Sequence, residues 1–287
     1  MRFSLTSPLL SLDLDGYPLT YTDAGSGTPV LLVHGSLCDC RYWQAQIGPL
    51  SREWRVLAPS LRHYWPGNAR GSQHDSGMPL EASSGTFSIG QHAQDLARLI
   101  DALEAGPVHV IGHSRGARVA LELALTRPEL VNRLVLADPA VRIGEQNVST
   151  REASPFVGEA LNLIERGDID GGLGIFVDAV NGRGTWSRMV RGFREMAYDN
   201  ASTLAGQAAE PIHAVNESDL RALNRPVLLV GGGQSPERYL TSQDQLQALL
   251  PSAQRTIIQG AAHGMNIAKP HSFNTAVAAF LNDRPLP

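Results

Sequence analysis

A serine between two glycines is the strongest chemical signal in this 287-residue sequence. Residues 112 to 116 read GHSRG, they follow the apolar run Val108 to Ile111, and a helical pattern begins near Ala117. A serine on a sharp turn from strand to helix has an exposed hydroxyl, and glycines two positions to either side remove side chains that would clash there. The backbone N–H of Arg115, at the helix start, can donate to an oxyanion. The motif predicts that Ser114 is a nucleophile in acyl transfer.

The elements around this motif alternate between apolar runs and helical stretches, with turn residues between them. This alternation predicts an α/β fold with a mostly parallel central sheet covered by helices on both faces. The first two strands are joined at Asp15-Gly16, which predicts an antiparallel hairpin. The predicted strands are Leu9 to Leu14, Pro18 to Asp23, Val30 to Val33, Arg55 to Pro59, Val108 to Ile111, Leu134 to Ala137, Val227 to Val230 and Arg255 to Ile258. The predicted helices are Ile89 to Leu103, Ala117 to Leu125, Ser242 to Leu250 and His271 to Leu281.

One long segment interrupts the alternation. Residues 141–224 exceed a normal connection between strand and helix and carry helical patterns of their own. Trp186, Met189, Val190 and Phe193 follow the i, i+3, i+4, i+7 spacing of one helix face. We therefore expect a first core part at residues 1–140, an inserted helical cap at 141–224 and a second core part at 225–287. The apolar face is expected mainly to pack on the core, and some of its side chains to line a pocket.

Together with the serine motif, two further segments resemble the α/β-hydrolase superfamily, and the resemblance runs from Leu9 to Leu281. Residues 32–36, LVHGS, look like the family's strand-ending His-Gly segment. This resemblance implies that the Ser36 backbone N–H is the second oxyanion donor. Residues 260–265, GAAHGM, look like the loop that carries the catalytic histidine, which implies that His263 is the base. The alternative for His263 is an ordinary surface-loop histidine. His34 and His113 are expected to be buried, hydrogen-bonded structural residues.

The acid of the expected triad is not where most superfamily members carry it. In them an aspartate follows the strand after the cap, whereas Ser235 stands at that place here and cannot supply a negative charge. The favoured replacement is Asp138, because some superfamily members carry the acid after the preceding strand and neighbouring strand ends face one crevice. Glu237 is the alternative acid, and a third reading has no acid. Asp138 could instead cap the turn into Pro139.

A second departure lies in the loop after the fourth predicted strand. The sequence there reads SLRHYWP over residues 60–66, in place of the family-typical D-x-R-G-x-G-x-S segment. Arg62, His63, Tyr64 and Trp65 could bind a polar or aromatic substrate at the pocket rim. The alternative is packing combined with solvent contact.

Composition narrows the classes of partner. The 24 Lys and Arg against 28 Asp and Glu give a formal charge of −4, which does not favour nucleic acid or an anionic membrane. The sequence shows neither a secretory signal pattern nor a run of transmembrane length, so we expect a cytoplasmic protein. Cys38 and Cys40 are too close for an unstrained disulfide, and no Cys or His spacing matches a zinc site. We expect no metal, no cofactor and a small-molecule substrate, with homo-oligomerisation left open.

These features together predict a carboxylesterase-like hydrolase (EC 3.1.1 or related). Ser114, His263 and Asp138 would act on an ester or related acyl bond of a small organic molecule. The resemblance leaves two alternatives on the same fold, a carbon–carbon bond hydrolase and a cofactor-free oxygenase. A non-catalytic ligand-binding protein is a further alternative, because fold does not fix function.

Overall fold

The computed structural model describes residues 7–68, 87–144, 148–149 and 154–287. Ten strands lie in these residues. They are β1 (Leu10–Leu14), β2 (Tyr17–Ala24), β3 (Pro29–Val33), β4 (Arg55–Pro59), β5 (Val108–His113), β6 (Val131–Ala137), β7 (Val148–Ser149), β8 (Pro211–Ile212), β9 (Val227–Gly232) and β10 (Ala253–Ile258). Eight of them form one sheet in the order β1-β2-β4-β3-β5-β6-β9-β10, and β7 pairs with β8 separately. The sheet is parallel from β4 to β10, and β2 pairs antiparallel with both β1 and β4.

Helices connect most of the parallel strands, which confirms the predicted α/β fold. The core helices are α1 (Gln44–Leu50), α2 (Ile89–Ala102), α3 (Arg115–Thr126), α10 (Glu237–Leu249), α11 (Met265–Ala268) and α12 (Pro270–Leu281). Between β6 and β9 lie α4 (Pro155–Glu165), α5 (Ile169–Asn181), α6 (Thr185–Arg188), α7 (Arg191–Asp199), α8 (Thr203–Ala209) and α9 (Glu217–Ala222). We call residues 141–224 the helical segment.

The hairpin at the start of the chain forms as its turn residues predict. Asp15 and Gly16 both have positive φ, at 52° and 86°, as a two-residue turn between twisted antiparallel strands requires. The Gly16 N–H donates to Asp13 Oδ1 at 2.7 Å and closes the turn. β1 and β2 pair from Leu14 with Tyr17 to Leu10 with Tyr21.

The sheet is buried on both faces, because successive side chains of a strand point to opposite sides. On β3, Val30 and Leu32 pack into one apolar cluster, and Leu31 and Val33 pack into the other. All four side chains are fully buried. Such two-sided burial explains why the parallel strands read as continuous apolar runs.

The ends of the parallel strands bring the chemically capable residues to one edge of the sheet. Ser36 follows β3, Ser114 follows β5 and Asp138 follows β6. Ser235 follows β9, and His263 follows β10. Because parallel strands share their direction, all five residues lie beyond the same, carboxyl-terminal edge.

Within the helical segment, the sequence prediction of one helix face is wrong. Trp186 belongs to α6 and Phe193 to α7, whereas Met189 and Val190 lie between the two helices with ψ of 139° and 146°. The four apolar residues therefore do not lie on one helix, because the helix is interrupted between Trp186 and Phe193. Trp186 and Phe193 are buried, but Val190 is 46% exposed, because the extended backbone turns it away from the helix packing.

Among the described residues, no helix combines the length and the apolar composition that a membrane span requires. In the same residues, no group of three or more His, Cys, Asp or Glu side chains is arranged to hold a metal ion.

Candidate active site

Ser114 lies on a strained turn between β5 and α3. Its φ of 56° and ψ of −121° are unusual for a residue other than glycine, and strain of this kind persists where the surrounding structure enforces it. The Ser114 N–H donates to the Ala137 carbonyl of β6 at 2.9 Å, which fixes the turn against the next strand. A Cβ on Gly112 would overlap the Gly116 carbonyl, and one on Gly116 would overlap the Val33 carbonyl. The two glycines thus allow the helix start to approach the sheet.

We expect Gly116→Ala to lower the free energy of unfolding by at least about 2 kcal/mol, because the added methyl group meets rigid backbone. Urea unfolding followed by circular dichroism measures this loss. The matched control is Gly48→Ala on α1, where an added Cβ meets nothing within 4 Å. That variant should stay within about 1 kcal/mol of the wild type or be more stable. Equal stability of both variants would contradict the proposed backbone clash.

His263 contacts Asp138 directly. Nδ1 of His263 lies 3.1 Å from Oδ2 of Asp138, and the imidazole donates because the carboxylate can only accept. His263 is 3% exposed and Asp138 is fully buried. With Nδ1 occupied, Nε2 is the ring nitrogen left to accept a proton.

The charges of this pair follow from burial. Burial lowers the pKa of His263, and the nearby Arg238 charge lowers it further, so the imidazole is neutral at pH 7. Burial also raises the pKa of Asp138 to about 6, against the opposing effect of the Ser235 hydrogen bond and the His113 interaction. At pH 7 the carboxylate is therefore mostly ionised beside a neutral histidine, the state that general-base catalysis requires.

Asp138 is held by more than the histidine. Ser235 donates its hydroxyl proton to Asp138 Oδ2 at 2.5 Å, and Gln243 Nε2 donates to Oδ1 at 2.9 Å. The Asp138 N–H donates to the Val230 carbonyl at 2.9 Å. Ser235, which stands where most superfamily members carry the acid, thus contacts the carboxylate that comes from the neighbouring strand.

We expect Ser235→Ala to move the acid limb of the kcat/KM profile to higher pH. The Ser235 hydrogen bond lowers the pKa of Asp138, so its loss raises that pKa and more Asp138 is protonated at a given pH. Activity, which needs the ionised carboxylate, is then lost earlier as pH falls. Profiles from pH 4.5 to 9 measure the shift. Ser242→Ala is the control, since the buried Ser242 hydroxyl has no hydrogen-bond partner among the described residues. A shift in both variants, or in neither, would contradict the assignment.

Two other histidines beside the site are structural in their contacts, as expected. His34 Nδ1 donates to the Gly35 carbonyl at 2.9 Å, and His34 Nε2 accepts from the Leu61 N–H at 3.0 Å. His113 Nε2 donates to the His263 carbonyl at 2.7 Å, so it holds the loop that carries His263. Burial lowers the pKa of His34 to about 4 and that of His113 to about 3, which keeps both rings neutral.

Ser114 and Ser36 line two cavities that meet at the site. The smaller, of about 240 Å³, is mainly apolar and also includes His263; its helical-segment side chains include Phe176, Met189 and Phe193. The larger, of about 1300 Å³, has a mixed lining of apolar, polar and charged side chains, among them Arg115 and Glu210. These two form a buried ion pair at 2.6 Å. Ser114 thus borders both a small apolar cavity and a larger one of mixed lining.

The two expected oxyanion donors flank Ser114 in space. Gly35 is so close that a Cβ there would lie 3.1 Å from Ser114 Cβ, and Ser36 comes directly after it. The Ser36 hydroxyl donates to Gln207 Oε1 of α8 at 2.7 Å, which links the helical segment to the site. Within the described residues, the backbone N–H groups of Ser36 and Arg115 have no hydrogen-bond acceptor.

Other candidates from the sequence lie elsewhere. Glu237 is exposed at the start of α10 and lines neither cavity, whereas Nδ1 of His263 pairs with Asp138. Arg62 pairs with Asp95 through two hydrogen bonds of 2.8 Å, and Tyr64 is buried. Neither cavity is lined by residues 62–65, so this loop packs against the core.

Sequence reasoning missed Tyr239. The prediction began the helix after β9 at Ser242, but α10 begins at Glu237. Pro236, with its fixed φ, and an acidic first residue are ordinary signals of a helix start and could have found it. The earlier start places the Tyr239 ring against His263, with the ring centroids 4.1 Å apart.

Comparison with known proteins identifies the family. A family model described as an alpha/beta hydrolase family matches residues 30–276. This chain belongs to the alpha/beta hydrolase family. Esterase YbfF of Escherichia coli is 30% identical to this α/β-hydrolase over 277 residues, which are 90% of this chain and 94% of the relative. An uncharacterized protein of Mycobacterium tuberculosis is 29% identical over 150 residues, 52% of this chain and 40% of the relative, so the match spans less than half of that longer protein.

Solved structures agree on the fold of this α/β-hydrolase. A hydrolase from Pseudomonas aeruginosa PA01 superposes with a TM-score of 0.75 at 21% identity, covering 96% of this chain and 99% of the other. A thermophilic esterase from Thermogutta terrifontis gives a TM-score of 0.73 at 24% identity, with 96% and 99% coverage. Together with the family match, these structures confirm the superfamily and fold predicted from the sequence.

Proposed function

We propose that this α/β-hydrolase is a carboxylesterase-like enzyme that hydrolyses an ester or related acyl bond with Ser114, His263 and Asp138 as its triad. The observation that carries the proposal is the His263–Asp138 hydrogen bond in a site whose cavity Ser114 also lines. The strained turn at Ser114 and the name of the E. coli esterase relative support it. The helical segment would act as a cap, since its side chains line the small cavity.

In the proposed reaction, Ser114 Oγ bonds to the acyl carbon while its proton passes to Nε2 of His263. The carbonyl oxygen takes the displaced electron pair and becomes an oxyanion, which the Ser36 and Arg115 backbone N–H groups stabilise. The carbonyl then re-forms, the bond to the leaving oxygen breaks, and that oxygen takes the proton from Nε2. A water molecule then attacks the acyl-enzyme through the same steps, with His263 accepting its proton. The acid is released and the Ser114 hydroxyl is restored.

A fluorophosphonate probe tests the proposed nucleophile. Its phosphorus accepts an activated serine oxygen and loses fluoride, so the wild type should be modified at Ser114 and this peptide should be identified by mass spectrometry. Heat-unfolded protein is the control, because unfolding separates Ser114 from His263. A folded wild type that stays unmodified after prolonged exposure would overturn the proposal.

The small cavity predicts a preference for short acyl groups. Its volume of about 240 Å³ is below the roughly 300–1,000 Å³ of pockets that enclose drug-sized ligands. We expect kcat/KM for p-nitrophenyl butyrate to exceed that for the decanoate by about tenfold or more, because the longer chain does not fit. Met189→Ala, which enlarges the cavity, should narrow this ratio. Ile169→Ala, an exposed apolar residue outside both cavities, is the control. Equal values of kcat/KM for both esters would contradict the binding of the acyl group in the small cavity.

A further inference from the structure

Two aromatic rings lie close to His263. The ring centroid of His113 is 4.6 Å from that of His263, with an interplanar angle of 43°. Tyr239 is stacked on His263, with centroids 4.1 Å apart and an angle of 15°. A nearly parallel ring at this distance presents its electron-rich face to the imidazole. The plane of His263 is thus set by the stacked Tyr239 ring as well as by Asp138 at its edge.

Tyr239 belongs to the site by burial and by contact. It is 4% exposed, lines the larger cavity together with Ser114, and comes from α10, the helix after the Ser235 turn. Burial raises the pKa of Tyr239, and the nearby Arg238 charge lowers it by less. The phenol is therefore neutral, and its ring contacts the base in a cavity that the nucleophile also lines.

The charges around His263 explain why such a ring matters. During the proposed reaction the imidazole becomes a cation, and burial opposes that charge. The positive Arg238 opposes it too, and the neutral His113 supplies no compensating charge. Asp138 compensates from the Nδ1 edge. A cation within about 6 Å of an aromatic centroid is attracted by the electron-rich face of the ring, and more strongly when both groups are desolvated.

We propose that Tyr239 is a positioning residue for His263, whose ring fixes the imidazole plane and stabilises the imidazolium formed as Ser114 attacks. This inference rests on the proposed function. It assigns the effect to the aromatic face and not to the hydroxyl, so the two parts of the side chain can be tested separately.

The test compares Tyr239→Phe, which keeps the ring, with Tyr239→Leu, which removes it. For each we would measure kcat and KM with p-nitrophenyl butyrate and, independently of turnover, the rate of fluorophosphonate labelling. Tyr239→Leu should lose about tenfold in kcat and in the labelling rate, with KM within about threefold of the wild type, because the imidazolium that the ring stabilises forms only during the reaction. Tyr239→Phe, which restores the aromatic face, should stay within about threefold of the wild type in kcat, KM and labelling rate. Tyr21→Leu, another buried tyrosine outside both cavities, is the control for lost packing.

Three outcomes would overturn the inference. They are a loss in Tyr239→Leu that lies in KM with kcat unchanged, an equal loss in the Phe and Leu variants, and an equal loss in Tyr21→Leu. All three are read in an enzyme whose wild type turns over esters and is labelled. A wild type that does neither overturns the proposed function itself, so the two failures are distinguishable.

Discussion

Ser114→Ala is expected to lower kcat/KM for p-nitrophenyl butyrate by at least about 10⁴-fold. Without Oγ no acyl-enzyme can form. The variant keeps only the expected oxyanion donors, which polarise the substrate carbonyl, and water as the nucleophile. Alanine is sterically no worse than serine at the strained φ of 56°, because both side chains have the same Cβ. Steady-state rates with the purified variant measure the loss.

The control for this prediction is that the Ser114→Ala variant is folded. Thermal unfolding and circular dichroism of Ser114→Ala should match the wild type, because the substitution removes a single oxygen from a half-buried side chain and leaves its Cβ in place. Substantial residual turnover by a folded variant would exclude a serine nucleophile. It would favour ester hydrolysis in which His263 alone acts as the base and activates a water molecule.

Asp138→Asn should lower kcat by about 10³- to 10⁴-fold, whereas Glu237→Gln should leave it within about threefold. The Asp138 carboxylate accepts a hydrogen bond from His263, with Nδ1 and Oδ2 3.1 Å apart, and it is fully buried. Glu237 is instead exposed at the start of α10. An amide at position 138 can present its NH₂ group to Nδ1, which favours the wrong tautomer and removes the charge that stabilises the imidazolium.

The kcat values of Asp138→Asn and Glu237→Gln are to be compared at equal fractions of folded protein. Asp138 also accepts hydrogen bonds from Ser235 and Gln243, so part of any loss could reflect stability. Urea midpoints separate the two effects, because kcat per folded molecule is then known. Damage confined to Glu237→Gln would show that the acid is not Asp138.

Local features of the fold were predictable from the sequence. The hairpin at Asp15-Gly16 and the turn at Ser114 each depend on residues a few positions apart, since glycine and turn residues act through local backbone sterics. The buried parallel strands were predictable because burial on both faces leaves a continuous apolar run. The break between α6 and α7 was not predictable, because a regular apolar spacing does not reveal where a helix is interrupted.

The sequence by itself determined the α/β fold, the serine on its strand-to-helix turn and the histidine loop that follows the last strand. It left two acids open, because the acid contacts the histidine across 125 residues and no local pattern measures such a distance. Only the tertiary structure brings Asp138 to Nδ1 of His263. It also shows that Ser235, at the position where most superfamily members carry the acid, donates a hydrogen bond to Asp138, and that Tyr239 stacks on the imidazole. These contacts form because parallel strands end at one edge of the sheet, where packing decides which side chains meet.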